Sequence, residues 1–181
     1  MTYPTAVSPN RMIIRYRGLF DYDGLYNVMV QWFKQRGFWF HERTYKHKVP
    51  TALGAEQEIE WTAEKEITDY YKFEYNVKWH LWEITEVEVV KEGVKKVLTN
   101  ARLEIKLDGT LSIDWEKRFG TSTFWTFVRD WYHKYIIRKE IETIWYDTFY
   151  YRLQRLHKVI KDFLDMEAKG YAYQGYLGDN V

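Results

Sequence analysis

Apolar and polar positions change their period several times along the chain, and each change marks an element. Arg11 to Arg17 alternates briefly and predicts a short strand. Leu25, Val28, Met29, Trp32 and Phe33 then fall at i, i+3, i+4, i+7 and i+8, one face of a helix running to about Arg36. Asp21 or Asp23 can cap its start, because a carboxylate accepts from free N–H groups of the first turn. Gly37 suits its C-terminal end.

From Phe38 the period is two. Phe38 to Lys48 predicts a strand, residues 49–55 a loop, and Glu56 to Thr68 a second strand. In the latter Ile59, Trp61, Ala63 and Ile67 alternate with glutamates and threonines. Tyr70 to Val90 reads as a long strand or a bent pair, with Phe73, Tyr75, Val77, Trp79 and Leu81 on one face. Trp82 and Ile84 fall in the opposite phase, which predicts a bulge near His80–Glu83. Lys91 to Gly93 reads as a turn, followed by a strand from Val94 to Leu107. Asp108-Gly109 has the chemistry of a two-residue hairpin turn, with Leu111, Ile113 and Trp115 on a returning strand.

Thr123 to about Lys169 recurs at three and four, without Pro or Gly. A straight helix of that length would span about 68 Å at ~1.5 Å per residue. The expectation is a bend near Ile137–Glu142. The fold class is therefore α+β: an antiparallel meander of five to seven strands, one N-terminal helix, and a long, bent C-terminal helix on one face. Residues 1–10 are expected to be a flexible lead, 11–169 a single domain, and 170–181 a flexible Gly/Tyr tail.

Composition adds one strong feature. Aromatic residues make up 19% of the chain, with 9 Trp, 16 Tyr and 10 Phe, more than one helix-on-sheet core needs. Cys is absent, which excludes disulfides, thiolate catalysis and Cys-based zinc sites. No apolar run approaches the ~20 residues of a membrane span, and Met1 to Asn10 does not read as a signal peptide. A soluble, cytoplasmic protein is the expectation.

Charge is balanced overall at +1 but unevenly placed. Residues 1–50 carry 8 Lys/Arg against 3 Asp/Glu, and residues 51–121 carry 10 against 15. A hairpin across the 49–55 loop sets Lys48 opposite Glu56 and Lys46 opposite Glu58. Each such pair stabilises by roughly 0.2–1 kcal/mol. The asymmetry then becomes an internal pairing, and the glutamate-rich face repels phosphate. Nucleic acid is not an expected partner.

The other face of that hairpin is expected to carry Trp39, His41, Arg43, Tyr45 and His47 above Ile59, Trp61 and Ala63. With Tyr75 and Trp79 these give a candidate ligand-binding set: Trp39, His41, Arg43, Tyr45, Trp61, Tyr75 and Trp79, an aromatic pocket with a cationic end. Along the C-terminal helix Trp131, Tyr135, Trp145, Phe149, Tyr150 and Tyr151 exceed what one stripe can bury. They are the candidate protein interface. Charges on that helix are mixed, unlike the one-sided basic face of a membrane-lying helix.

Motifs for chemistry are missing. There is no HExxH, GxSxG, Walker A or dinucleotide-binding glycine pattern. His41 and His47 lie six residues apart, ~20 Å along a strand, too far to share a metal. No cofactor, metal or catalytic residue is expected.

The order strand, helix, antiparallel strands, long terminal helix over roughly residues 11–168 resembles the helix-grip arrangement of lipid-transfer and polyketide-cyclase-like domains. The resemblance is one of element order and is carried by no motif. It implies a terminal helix lying across a curved sheet and enclosing an apolar cavity. Three functional expectations follow, in order. The first is a non-catalytic interaction or assembly subunit that binds itself or another protein. The second is a carrier or sensor of a hydrophobic or amphipathic small molecule. The third is an enzyme in the same cavity, with His41 or His47 as acid or base.

Overall fold

The computed structural model describes residues 5–51, 54–91, 94–120 and 122–166. In chain order the elements are β1 (Ala6–Val7), β2 (Met12–Phe20), α1 (Tyr22–Gln35), β3 (Trp39–Thr51), β4 (Gly54–Glu66), β5 (Tyr71–Lys91) and β6 (Val94–Ile113). Then come α2 (Thr123–Tyr135), α3 (Arg138–Glu140), a π-helical segment (Ile141–Tyr146) and α4 (Asp147–Phe163). The fold is α+β, as the pattern predicts.

All strand pairs are antiparallel, in the order β3-β4-β5-β6, with β1 and β2 sharing the far edge of β6. Within the expected flexible lead, Ala6 and Val7 pair with Ser112 and Leu111. The expected Gly/Tyr tail, 170–181, and the turn at 92–93 lie outside the described residues.

The outer face of the sheet is a ladder of opposite charges. Lys46 faces Glu58 and Lys48 faces Glu56, the expected register. Lys48 Nζ lies 3.1 Å from Glu56 and 3.3 Å from Glu58. Lys78 bonds Glu60 at 2.9 Å, and Arg15 and Lys106 close on Glu104 at 2.6 and 2.8 Å. The basic N-terminal segment thus spends much of its charge on the acidic middle of the chain.

The inner face carries the core. Trp61 and Trp79 pack with ring centroids 4.9 Å apart, and Tyr75 stacks on Phe149 of α4 at 4.7 Å. Leu25, Met29 and Phe33 seat α1 on this face, and Phe149, Leu153, Leu156 and Ile160 seat α4. Asp21 caps α1 by accepting from Gly24 N at 2.9 Å, and Gly37 leaves the helix at φ 70°.

Three local expectations change, the first being the 49–55 loop, into which β3 extends to Thr51 and β4 from Gly54. Asp108-Gly109 is not a turn: β6 runs through it, with Gly109 opposite Tyr75. A Cβ on Gly109 would stand 2.5 Å from Phe149 Cζ, so this glycine serves the close approach of α4. Leu111 and Ile113 continue β6 rather than return.

The bulge in β5 does occur, between Trp82 and Thr85, with Glu83 at φ 58°. It leaves Trp82 outside between His80 and Arg102 and turns Ile84 back toward the core.

A second irregularity, between Glu42 and Thr44 in β3, breaks the alternation assumed there. Phe40 and Glu42 consequently point inward opposite Ala63 and Trp61, while Trp39 and His41 stack on each other outside.

The terminal helix is interrupted beside the place where a bend is expected. α2 ends at Tyr135, and the chain restarts at Arg138 and passes through the π-helical segment into α4.

Candidate functional site

Helix α2 is built inside out. Ser122 caps it, accepting from Trp125 N, and its buried residue is a histidine, His133. Arg129 and Asp130, bonded at 3.0 Å, are only 15% and 18% exposed. At 100° per residue these polar groups lie around the side facing the body. Phe124, Phe127, Trp131 and Tyr135 recur at 3, 4 and 4 on the opposite side, and are 67%, 70%, 50% and 63% exposed. Trp125 and Ile136 flank them, both exposed. A helix on a protein surface ordinarily does the reverse, because burying a large apolar side chain contributes about 1.5–3 kcal/mol. Large contiguous apolar patches on a surface mark sites of interaction.

His133 is held by Tyr70, whose hydroxyl is hydrogen-bonded to its Nε2. Burial, with Arg129 nearby, lowers the His133 pKa, against the opposing pull of Asp114 and Asp130. Burial first, then Asp114, raises that of Tyr70. Both groups are thereby kept neutral.

Beside this pair lies a cleft of about 400 Å³, lined by Tyr70, Tyr71, Arg118, Phe119, Tyr132, Ile137 and Glu140. One wall is the bend after α2. Another is the loop after β6, where Asp114 and Lys117 hold left-handed backbone at φ 55° and 54°. Asp114 is buried and caps that loop by accepting from Arg118 N at 2.8 Å.

The residues expected to line a ligand pocket divide between core and surface, with Trp61 and Trp79 brought together at 4.9 Å. Trp61, Tyr75 and Trp79 lie in the core, at 1%, 0% and 1% exposure. Trp39, His41, Arg43 and Tyr45 are exposed on β3. The group that does reach the inner side is Glu42. It accepts from Tyr26 Oη at 3.0 Å and Trp61 Nε1 at 3.2 Å. Burial and Glu42 raise the Tyr26 pKa to about 12. The sequence hides this inversion because Phe38, Trp39 and Phe40 are all aromatic and do not set a phase.

Of the expected interface set, Trp131 and Tyr135 are exposed on α2 and Tyr151 on α4. Trp145 and Tyr150 are half-buried, Trp145 stacking on Tyr71 at 4.6 Å. Phe149 is fully buried and holds α4 on the sheet. Phe124, Trp125 and Phe127 belong to the exposed surface, and the 3-and-4 spacing of Phe124 and Phe127 with Trp131 was the available signal.

A metal-capable group also forms on the outer face. Single ligand atoms of Glu56, Glu58 and His80 lie within 4.8 Å of one another. Lys48 binds both carboxylates, and with His80, the larger influence, it lowers the Glu56 pKa. An ammonium thus holds the place where a cation would compete. Among the described residues no helix is long and apolar enough to cross a membrane. Comparison with known protein families and with curated proteins finds no match.

Proposed function

We propose that this protein is a non-catalytic assembly subunit that binds a second copy of itself through the outer face of α2. The carrying observation is the inversion of that helix, with His133, Arg129 and Asp130 turned to the body and Phe124, Phe127, Trp131 and Tyr135 turned to solvent. Laid antiparallel, the stripe sets Phe124 against Tyr135 and Phe127 against Trp131 of a second copy. Two copies laid antiparallel would therefore meet ring with ring, the isologous contact of a two-fold dimer. Aromatic pairs gain about 0.5–1.5 kcal/mol beyond the area they bury. Lys134 stands on this face, over the Tyr135 ring at 5.2 Å, with Asp130 in the same groove, a mixed charge unlike the one-sided basic face that favours lipid or nucleic acid. One helix of about 20 Å makes a small contact, and the assembly is reversible.

Hydroxyl-radical footprinting at rising protein concentration reads this surface directly. Phe124, Phe127, Trp131 and Tyr135 become protected, while Trp39 and Tyr45, exposed on β3, label equally throughout and serve as internal controls. Equal labelling of both groups at every concentration would overturn the proposal.

A further inference from the structure

The cleft at the end of α2 is separate from that outer face, and its chemistry points to a different occupant. Four rings line it and meet at differing angles. Tyr70 stands at 88° to Tyr71 and at 73° to Phe119, with centroids 5.3 and 6.4 Å apart. Phe119 and Tyr132 are tilted by 43° at 5.8 Å. Tyr71 is backed on one face by Trp145, and rings that line one cleft at differing tilts suit a cation without N–H donors better than a flat aromatic guest, which needs one stacking face.

The charge of the lining agrees. Arg118 and Glu140 are the charged groups lining the cleft. Arg118 is already bonded to Asp69 at 2.5 Å and to Glu116 at 3.4 Å. Glu140 accepts only from the neutral Trp145 indole, at 2.8 Å, and has no cation within ion-pair distance among the described residues. The neutral Tyr70–His133 pair adds no positive charge. The field left over is negative, at the rim of an aromatic box.

The surroundings also break local rules together. The left-handed Asp114 and Lys117 are on one side and the π-helical segment on the other. Strained backbone and π-helical turns concentrate where a chain does something besides fold. About 400 Å³ is the size of a small-molecule site.

We infer that the box of Tyr70, Tyr71, Phe119 and Tyr132, with Glu140 at its rim, binds a quaternary ammonium group, free or as the headgroup of a lipid. The rings hold the methylated cation and Glu140 compensates its charge.

Isothermal titration with choline tests this, against 3,3-dimethylbutan-1-ol, the neutral molecule of the same shape. Choline is expected to bind at least tenfold more tightly than the alcohol. Phe119→Leu and Glu140→Gln, both substitutions at accessible positions, are each expected to weaken it at least threefold with the thermal transition unchanged. Vesicles of phosphatidylcholine in a co-sedimentation arm separate the sources. Sedimentation lost in Glu140→Gln assigns a lipid headgroup, and choline binding without sedimentation assigns a free small molecule. No heat with choline at millimolar concentration and no vesicle binding would overturn the inference. So would equal binding of choline and the alcohol.

Discussion

Gly109 shows how one residue can carry opposite meanings. Next to Asp108 it has the chemistry of a hairpin turn, yet it lies in a continuous strand beneath Phe149. Nothing within ten residues distinguishes the two uses, because the deciding atom belongs to α4. Gly109→Ala puts a methyl group against the Phe149 ring and should cost about 1–3 kcal/mol, read as a lower urea midpoint. In a Phe149→Leu background the added cost should shrink, since the clash is with that ring. An undiminished cost would mean that strand conformation, not packing, requires the glycine.

His133 makes a second prediction at this scale. Its folded pKa lies below its ordinary value, through burial first and Arg129 second. A lowered pKa means the unfolded chain binds the proton more readily. The stabilisation is therefore complete above about pH 6.5 and is lost as pH falls below it. His157, lowered by burial and Lys161, acts in the same direction. His133→Gln should flatten the slope of stability against pH in this window, and adding His157→Gln should flatten it further. A slope untouched by both would contradict the assignment.

At the scale of elements, periodicity located the main helices and most strand segments, and the facing charges of Lys46, Lys48, Glu56 and Glu58 set one register correctly. One strand phase stayed hidden. The irregularity at Arg43 inverts half of β3, and its neighbours are aromatic or polar in both phases, so alternation was blind to it. The break after Tyr135 has no Gly or Pro to announce it, and only the length of the pattern called for a bend. Capping was legible as a choice between Asp21 and Asp23, and the structure selects Asp21. Asp21→Ala should therefore lower stability by about 1 kcal/mol in chemical denaturation, with Asp23→Ala nearly silent. Similar losses for both would contradict the capping geometry.

For the whole molecule, the surplus of aromatic residues divides between two destinations. Trp61, Trp79, Tyr75, Phe33, Phe73 and Phe149 fill the space between sheet and helices. Phe124, Phe127, Trp131 and Tyr135 of α2 face outward, while His133, Arg129 and Asp130 turn to the body. The composition announced a surplus, but only the fold shows where it lies, because the bend frees α2 from the sheet that α4 covers.

The most direct test is sedimentation equilibrium over a wide concentration range, on the natural chain and on Phe127→Ser/Trp131→Ser. Both side chains are at least half exposed, so their loss leaves the core intact. The predicted result is a mass rising from 22.2 kDa toward twice that value in the natural chain and staying at the monomer in the double variant. A natural chain that remains monomeric at every concentration, or a variant that associates equally well, would contradict the assignment of α2 as the contact surface.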